Sequence, residues 1–172
     1  QWTVDSCLEF LKSARARRKL IVIGTLSDCS NRRSEQYVTV AKHAMETADE
    51  TIFVGDWASH ALKARRPGMD DALRVFANVR DVASYLRAYV GEGDLVLLKG
   101  TNKQDHLFRI VLACTDEIAC WRQDCKRPLF CNACPQRNVA VASHAELSGP
   151  VVDGAIRPVV SSREMPMTPG AQ

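Results

Sequence analysis

Two groups of residues in this chain could do chemistry. The first is Lys99-Gly100-Thr101, which closes the run Gly93-Asp94-Leu95-Val96-Leu97-Leu98 and is followed by Asn102. A short continuous apolar run reads as a strand buried on both faces. Gly100 lets the backbone turn tightly, and Thr101 or Asn102 can cap a helix that starts at once. The spacing thus predicts an ammonium, a hydroxyl and helix-start amides at the carboxyl end of a strand. Such a set would hold a carboxylate or a phosphate. The plainer reading is a lysine extending to solvent beside an ordinary turn.

The second group is C-x4-C-x5-C-x2-C, made by Cys120, Cys125, Cys131 and Cys134. In a reducing compartment, close thiols favour a metal over disulfides. Four thiolates would complete a tetrahedral zinc sphere, so such a zinc would be structural. The alternatives are thiol redox or disulfide chemistry, an iron–sulfur centre with Cys114 as a spare ligand, or incidental cysteines. Cys7 and Cys29 stand alone and read as a small core residue and a loop thiol.

Other chemistries have no apparatus here. The sequence holds no Gly-x-x-x-x-Gly-Lys-Ser/Thr loop and no Gly-x-Gly-x-x-Gly after a strand. No Ser-His-Asp arrangement is legible, and His43, His60, His106 and His144 read as surface or boundary residues. The net charge of +3 is too small to argue for nucleic acid. The basic cluster Arg15–Lys19 reads as a solvated linker before a strand. No apolar run approaches the roughly 20 residues of a membrane span. The expected compartment is cytoplasmic, without membrane contact. The chain opens on Gln1 in the middle of a helical pattern, which we read as a piece of a longer protein.

The elements that must position these residues alternate from residue 4 to 114. Val4, Leu8 and Leu11 share one helical face, and Leu20-Ile21-Val22-Ile23 is a strand ending at Gly24. Val38, Ala41, Met45 and Ala48 mark a helix, and Thr51–Val54 a strand ending at Gly55. Asp56 can cap a short helix with Trp57, Ala61 and Leu62, broken at Arg66-Pro67-Gly68. Leu73–Ala77 is a third strand, and Asn78 caps a helix with Val79, Val82, Leu86 and Tyr89 inward. Leu107, Ile110, Val111 and Cys114 form the stripe of the last helix. This order predicts an α/β, Rossmann-like, mainly parallel sheet with flanking helices. The expected organisation is a domain over 1–114, a cysteine-rich segment over 115–138, and a mostly flexible tail over 139–172.

Residues 10–112 resemble the C-terminal domain of the Mur ligase family, ATP-dependent enzymes that build the peptidoglycan peptide. The nearest likeness is to the branch that adds D-alanyl-D-alanine to the UDP-muramoyl tripeptide. The matching pieces are Arg18–Gly24, Val54-Gly55, and Gly93-Asp94 through Lys99-Gly100-Thr101. For the last of these the family usually has Gly-Asp-x-Val-Leu-x-Lys-Gly-Ser. The resemblance implies three cooperating domains. A central P-loop domain, holding ATP and Mg2+, phosphorylates a carboxylate of the UDP-linked substrate. This domain brings the amino acid or dipeptide whose amine attacks the acyl phosphate. It implies that Lys99, Gly100 and Thr101 lie near that substrate's carboxylate. It implies no catalytic residue in this chain, and no activity without the N-terminal and central domains.

Three positions depart from the family pattern. Thr101 replaces Ser, Tyr37 stands where His is frequent, and Gly24-Thr25-Leu26-Ser27-Asp28 leaves Asp28 as the only acid of its loop. A ligase joining other amino acids is therefore also compatible. The rival reading is a stand-alone Rossmann-like binding module whose zinc knuckle docks a protein or nucleic acid. Arg15–Lys19 and Lys126-Arg127 would then matter.

Overall fold

The computed structural model describes residues 3–26, 32–68, 70–101, 104–115, 118–123 and 125–140. Cys29, Asp28, Asn102, His144 and nearly all of the expected tail lie outside these residues. The elements are α1 (Val4–Ser13), β1 (Arg18–Ile23), α2 (Arg33–Met45), β2 (Glu50–Val54), β3 (Leu73–Phe76), α3 (Val79–Tyr89), β4 (Asp94–Lys99) and α4 (Phe108–Thr115). A 3-10 helix, Ala58–Ala64, lies between β2 and β3.

The four strands form one sheet in the order β3-β2-β1-β4, and every pairing is parallel. The order reverses between β1 and β4, since β2 and β3 extend to one side of β1 and β4 lies on the other. Helices cover both faces, which is why β1 and β2 are apolar without alternation. Ile21, Ile23 and Phe53 pack with Leu8, Leu11, Tyr37 and Ala41 on the α1–α2 side. Leu20, Val22, Ile52 and Val54 pack with Val82, Leu86 and Ile110 on the α3–α4 side. Cys7 is buried in α1, as its apolar surroundings suggest.

Several local expectations need correction. β4 is half-buried throughout rather than buried on both faces, because it is an edge strand. The Arg15–Lys19 cluster is not a loose linker: Arg18 and Lys19 begin β1, and Arg17 and Arg18 both hold Asp94. Asp56 does not cap the 3-10 helix, whose first flanking residue is Trp57 with no side-chain cap. Asn78 does cap α3, accepting the Asp81 amide at 2.9 Å. Tyr89 is 41% exposed, under the Arg18 guanidinium at 4.3 Å. Leu107, just before α4, and Ile110 within it are buried as expected, but Val111 and Cys114 face solvent.

Two ionic groups secure the amino-terminal edge of the sheet. Glu50 accepts from Arg74 Nε and from the Tyr85 hydroxyl, both at 2.7 Å, pinning α3 to β2 and β3. Burial, and then the Glu50 carboxylate, push the Tyr85 phenol up. Asp94 accepts from Arg18 Nη2 at 2.5 Å, Arg17 Nε at 3.1 Å and the Gly91 amide at 2.9 Å. Those bonds hold its carboxyl well below the usual carboxylate range.

The sign of the resulting pH effect follows from linkage. A carboxyl depressed in the folded state stabilises the fold above its unfolded pKa of about 4. That contribution is lost as pH falls from there through the folded value. Thermal melts of Asp94→Asn should therefore show a lower Tm than wild type at neutral pH. The gap should narrow as the buffer is taken below about pH 4, where the unfolded-state carboxyl also binds its proton.

Candidate functional site

The site is built where the strand order reverses, at the carboxyl ends of β1 and β4. Open α/β sheets bind ligands at such a point because the connecting loops diverge to opposite faces. Gly24, after β1, donates its amide to the Lys99 carbonyl at 2.8 Å, so the two strands stay paired to their last residue. The loops beyond them are joined by a single carboxylate, that of Asp105.

Asp105 is 9% exposed and its two oxygens are divided between the loops. Oδ1 accepts from the Thr25 amide at 3.0 Å and the Thr25 hydroxyl at 2.7 Å. Oδ2 accepts from the Thr101 amide at 2.5 Å and the Thr101 hydroxyl at 3.1 Å. Two glycines make room for it. A Cβ on Gly24 would lie 2.5 Å from Asp105 Cγ, and one on Gly100 would lie 2.8 Å from Asp105 Oδ2. Both positions call for glycine through close approach.

This arrangement revises the expected anion corner. The helix after Lys99-Gly100-Thr101 does not begin at once; α4 starts at Phe108. The Thr101 amide and hydroxyl already hold an anion, and that anion is the chain's own Asp105. The Lys99 side chain lies elsewhere. It follows Leu95 and Leu97, which pack on the α1–α2 core, in the strand's alternation. Its ammonium is close enough to act on Cys7, whose thiol is pushed up by burial and partly drawn back by Lys99.

Beside Asp105 a crevice of about 230 Å3 opens at the ends of β1, β2 and β3. Its walls carry both signs of charge: Asp56 and Asp105, against Arg109 and Arg122. Trp57 and Trp121 supply aromatic surface, and Asn78 an amide. Trp57 is 44% exposed, stacked on His60 at 5.7 Å and under the Arg33 guanidinium at 4.3 Å. Arg109 is buried at the back, donating through Nη1 to the Arg122 carbonyl at 2.6 Å. Chemically the crevice can seat a small molecule bearing both an ammonium and a carboxylate.

Asp105, Arg109 and Asp56 were not singled out for this crevice from the sequence. The available signal was Asp105 itself, an acid four residues beyond Thr101 in a stretch bordered by Gly100 and the apolar Leu107.

The four clustered cysteines pack against α4 rather than standing apart. Cys120 and Cys131 are buried, Cys125 and Cys134 are half-buried, and all four are free thiols. They line one cavity of about 10 Å3 together with His106 and Arg109. His106 is therefore not a surface histidine: it is 2% exposed, with Nδ1 3.4 Å from Cys131 Sγ. Among the described residues, no three His, Cys, Asp or Glu side chains converge into a group able to hold a metal. Among the same residues, no helix is long and apolar enough to cross a membrane.

Comparison with known proteins places this geometry. A family model described as Mur ligase, glutamate ligase domain, matches residues 3–102. The fold is similar to a crystal structure of MurF from Acinetobacter baumannii, with 14% identity and a TM-score of 0.54 over 66% of this chain. It is similar in the same degree to a UDP-N-acetylmuramoylalanyl-D-glutamyl-2,6-diaminopimelate–D-alanyl-D-alanyl ligase from Acinetobacter baumannii, with 14% identity and a TM-score of 0.52. The matched region spans 25% and 24% of those two chains. No curated protein matches the sequence. The matched region takes in α1 to β4 and the Lys99–Thr101 corner, more than half of the sequence. The chain belongs to the Mur ligase family, as its C-terminal, glutamate ligase, domain.

Proposed function

We propose that this domain holds the incoming amino acid or dipeptide for an ATP-dependent, ADP-forming amide ligase, acting together with N-terminal and central ligase domains in the cytoplasm. The observation that carries the reading is the two-signed crevice at the strand ends. A zwitterion needs an anion for its ammonium and a cation for its carboxylate, and the walls offer Asp56 and Arg122 within one small volume. Lys99, whose side chain lies on the α1–α2 side of β4 and outside the crevice wall, adds only a longer-range positive charge for the substrate's carboxylate. Gly100 and Thr101 act through Asp105: the glycine gives it clearance and the threonine holds it. The Asp105 bonds fix the loops that shape the wall.

Among the described residues, the turn after β1 does not fit an ATP phosphate. The turn after β1, where a phosphate would rest on backbone amides, is filled by the Asp105 carboxylate. A nucleotide phosphate would meet a negative charge there. No step of this domain is therefore routed through the nucleotide. Its part is to bind the amine, orient its nitrogen towards an activated carboxyl group, and keep water away from that group. Peptidoglycan assembly is the pathway that the family suggests.

Amine-dependent ADP release by the ligase carrying this domain tests the role of the corner. Lys99→Ala should raise KM for the amine several-fold and leave KM for ATP in place. Unchanged turnover at low amine concentration would remove Lys99 from the binding site.

A further inference from the structure

Arg109 is a buried cation whose counter-ion is missing among the described residues. It is 3% exposed, and no described carboxylate lies within ion-pair distance of it. Arg17, Arg18, Arg32 and Arg74 each have such a partner. The Arg109 Nε has no hydrogen-bond partner among the described residues, and its Nη1 donates to the Arg122 carbonyl. A buried guanidinium left in this state is costly unless an anion completes it. We infer that Arg109 is the receptor for a carboxylate in the crevice, and that it makes a free carboxylate a requirement for the incoming amine. That the ligand is this amine rests on the ligase reading; the carboxylate site stands apart from it.

The acids of the crevice wall do not fill the role. Asp105 lies four residues earlier, but Thr25 and Thr101 take both of its oxygens. Asp56 is exposed on the wall. With Nη1 committed to Arg122, Nε and Nη2 are left as the side-on pair of the fork, which a carboxylate bridges with two parallel bonds. Arg109 borders two spaces, and only one of them has room for that anion. The cavity beneath the cysteines is about 10 Å3, the room of roughly one water. The crevice is about 230 Å3. That is somewhat below the roughly 300–1,000 Å3 of sites for drug-sized ligands, and it suits an amino acid or a small dipeptide.

The placement also sets an orientation. Arg109 is buried at the back and Asp56 is exposed, so a ligand holding both lies carboxylate inward and ammonium outward. The amine nitrogen can then meet a carboxyl group activated on another domain. Arg122, itself exposed, adds its charge at the rim. The stretch that holds Arg109 lies outside the region that the family model matches. Ile118 and Trp121 seat it on the α3–α4 core, and Gln123 Nε2 reaches the Ala77 carbonyl beyond β3 at 3.5 Å. Residues 121–123 thus fix the guanidinium and wall the crevice on one side.

Two measurements test this. In the full 172-residue chain, sodium acetate should shift the Arg109 Nε–H resonance saturably, and sodium chloride at equal ionic strength should not. In the ligase carrying this domain, the amine that it joins should be preferred over the carboxamide of that amine about 10- to 100-fold in kcat/KM. Arg109→Gln should lose that preference, whereas damage to the fold alone would lower both substrates alike. Arg109→Lys keeps the charge without the fork and should keep part of the preference. Asp56→Asn should weaken both substrates equally and leave the preference in place. Absence of an acetate shift at Arg109 would overturn the carboxylate site, and that titration needs no variant to fold. A preference that survives in Arg109→Gln would overturn it as well. An acetate shift without any amine-dependent ADP release would support the site and overturn the ligase reading instead.

Discussion

Asp105→Ala is expected to lower the stability of the domain by about 3 kcal/mol, read as a shift of the urea midpoint at constant m-value. Four donors from two loops converge on this carboxylate. A hydrogen bond to a charged group contributes roughly 1.5–3 kcal/mol, and four that share one acceptor do not add in full. Asp105→Asn should lie between wild type and alanine, because its amide nitrogen can only donate towards Thr25 or Thr101, which donate already. Gly24→Ala provides the matching test from the other side. Its Cβ would come within 2.5 Å of Asp105 Cγ, and overpacking of this kind costs about 1–3 kcal/mol. In the Asp105→Ala background the same substitution should cost less, because only the contact with the retained Cβ, at 3.0 Å, remains. A coupling energy near zero would mean that Gly24 is needed for some reason other than the carboxylate.

The reason these variants matter is visible in the topology. The β1 and β4 loops diverge at the reversal of strand order, so nothing in the sheet itself holds them together beyond Gly24. Asp105 does so at the edge of the crevice. Its loss should change the shape of the crevice as well as lower stability.

The sheet was legible because its cause is local. Leu20–Ile23, Thr51–Val54, Leu73–Phe76 and Leu95–Leu98 are apolar runs bounded by turn residues, and all four became strands. The corner after β4 was legible as a place for an anion, since Lys, Gly and Thr at a strand end favour one. Its occupant was not. Asp105 meets Thr25 across 80 positions of sequence, and no periodicity links them. The late start of α4 was hidden for a related reason: residues 102–107 hold one apolar residue, so the stripe beginning at Leu107 fits either onset. His106 read as exposed because a polar residue in a polar stretch has no local sign of burial. Only the packing of Cys131 against it reveals that it is covered. The cysteine spacing announced a cluster, while its seat on α4 and its contact with His106 belong to tertiary structure alone.

The central claim is that the crevice beside Asp105 takes the incoming amine, with Asp56 as the partner of its ammonium. Asp56 is exposed and borders the crevice, so Asp56→Asn removes a charge with little consequence for the fold. The direct measurement is amine-dependent ADP release by the ligase carrying this domain, with the amine and ATP varied separately. Loss of one charge-assisted bond of about 1.4 kcal/mol corresponds to a factor of about ten. Asp56→Asn should raise KM for the amine about tenfold and leave KM for ATP unchanged. An unchanged KM for the amine, or an equal rise in KM for ATP, would contradict the account.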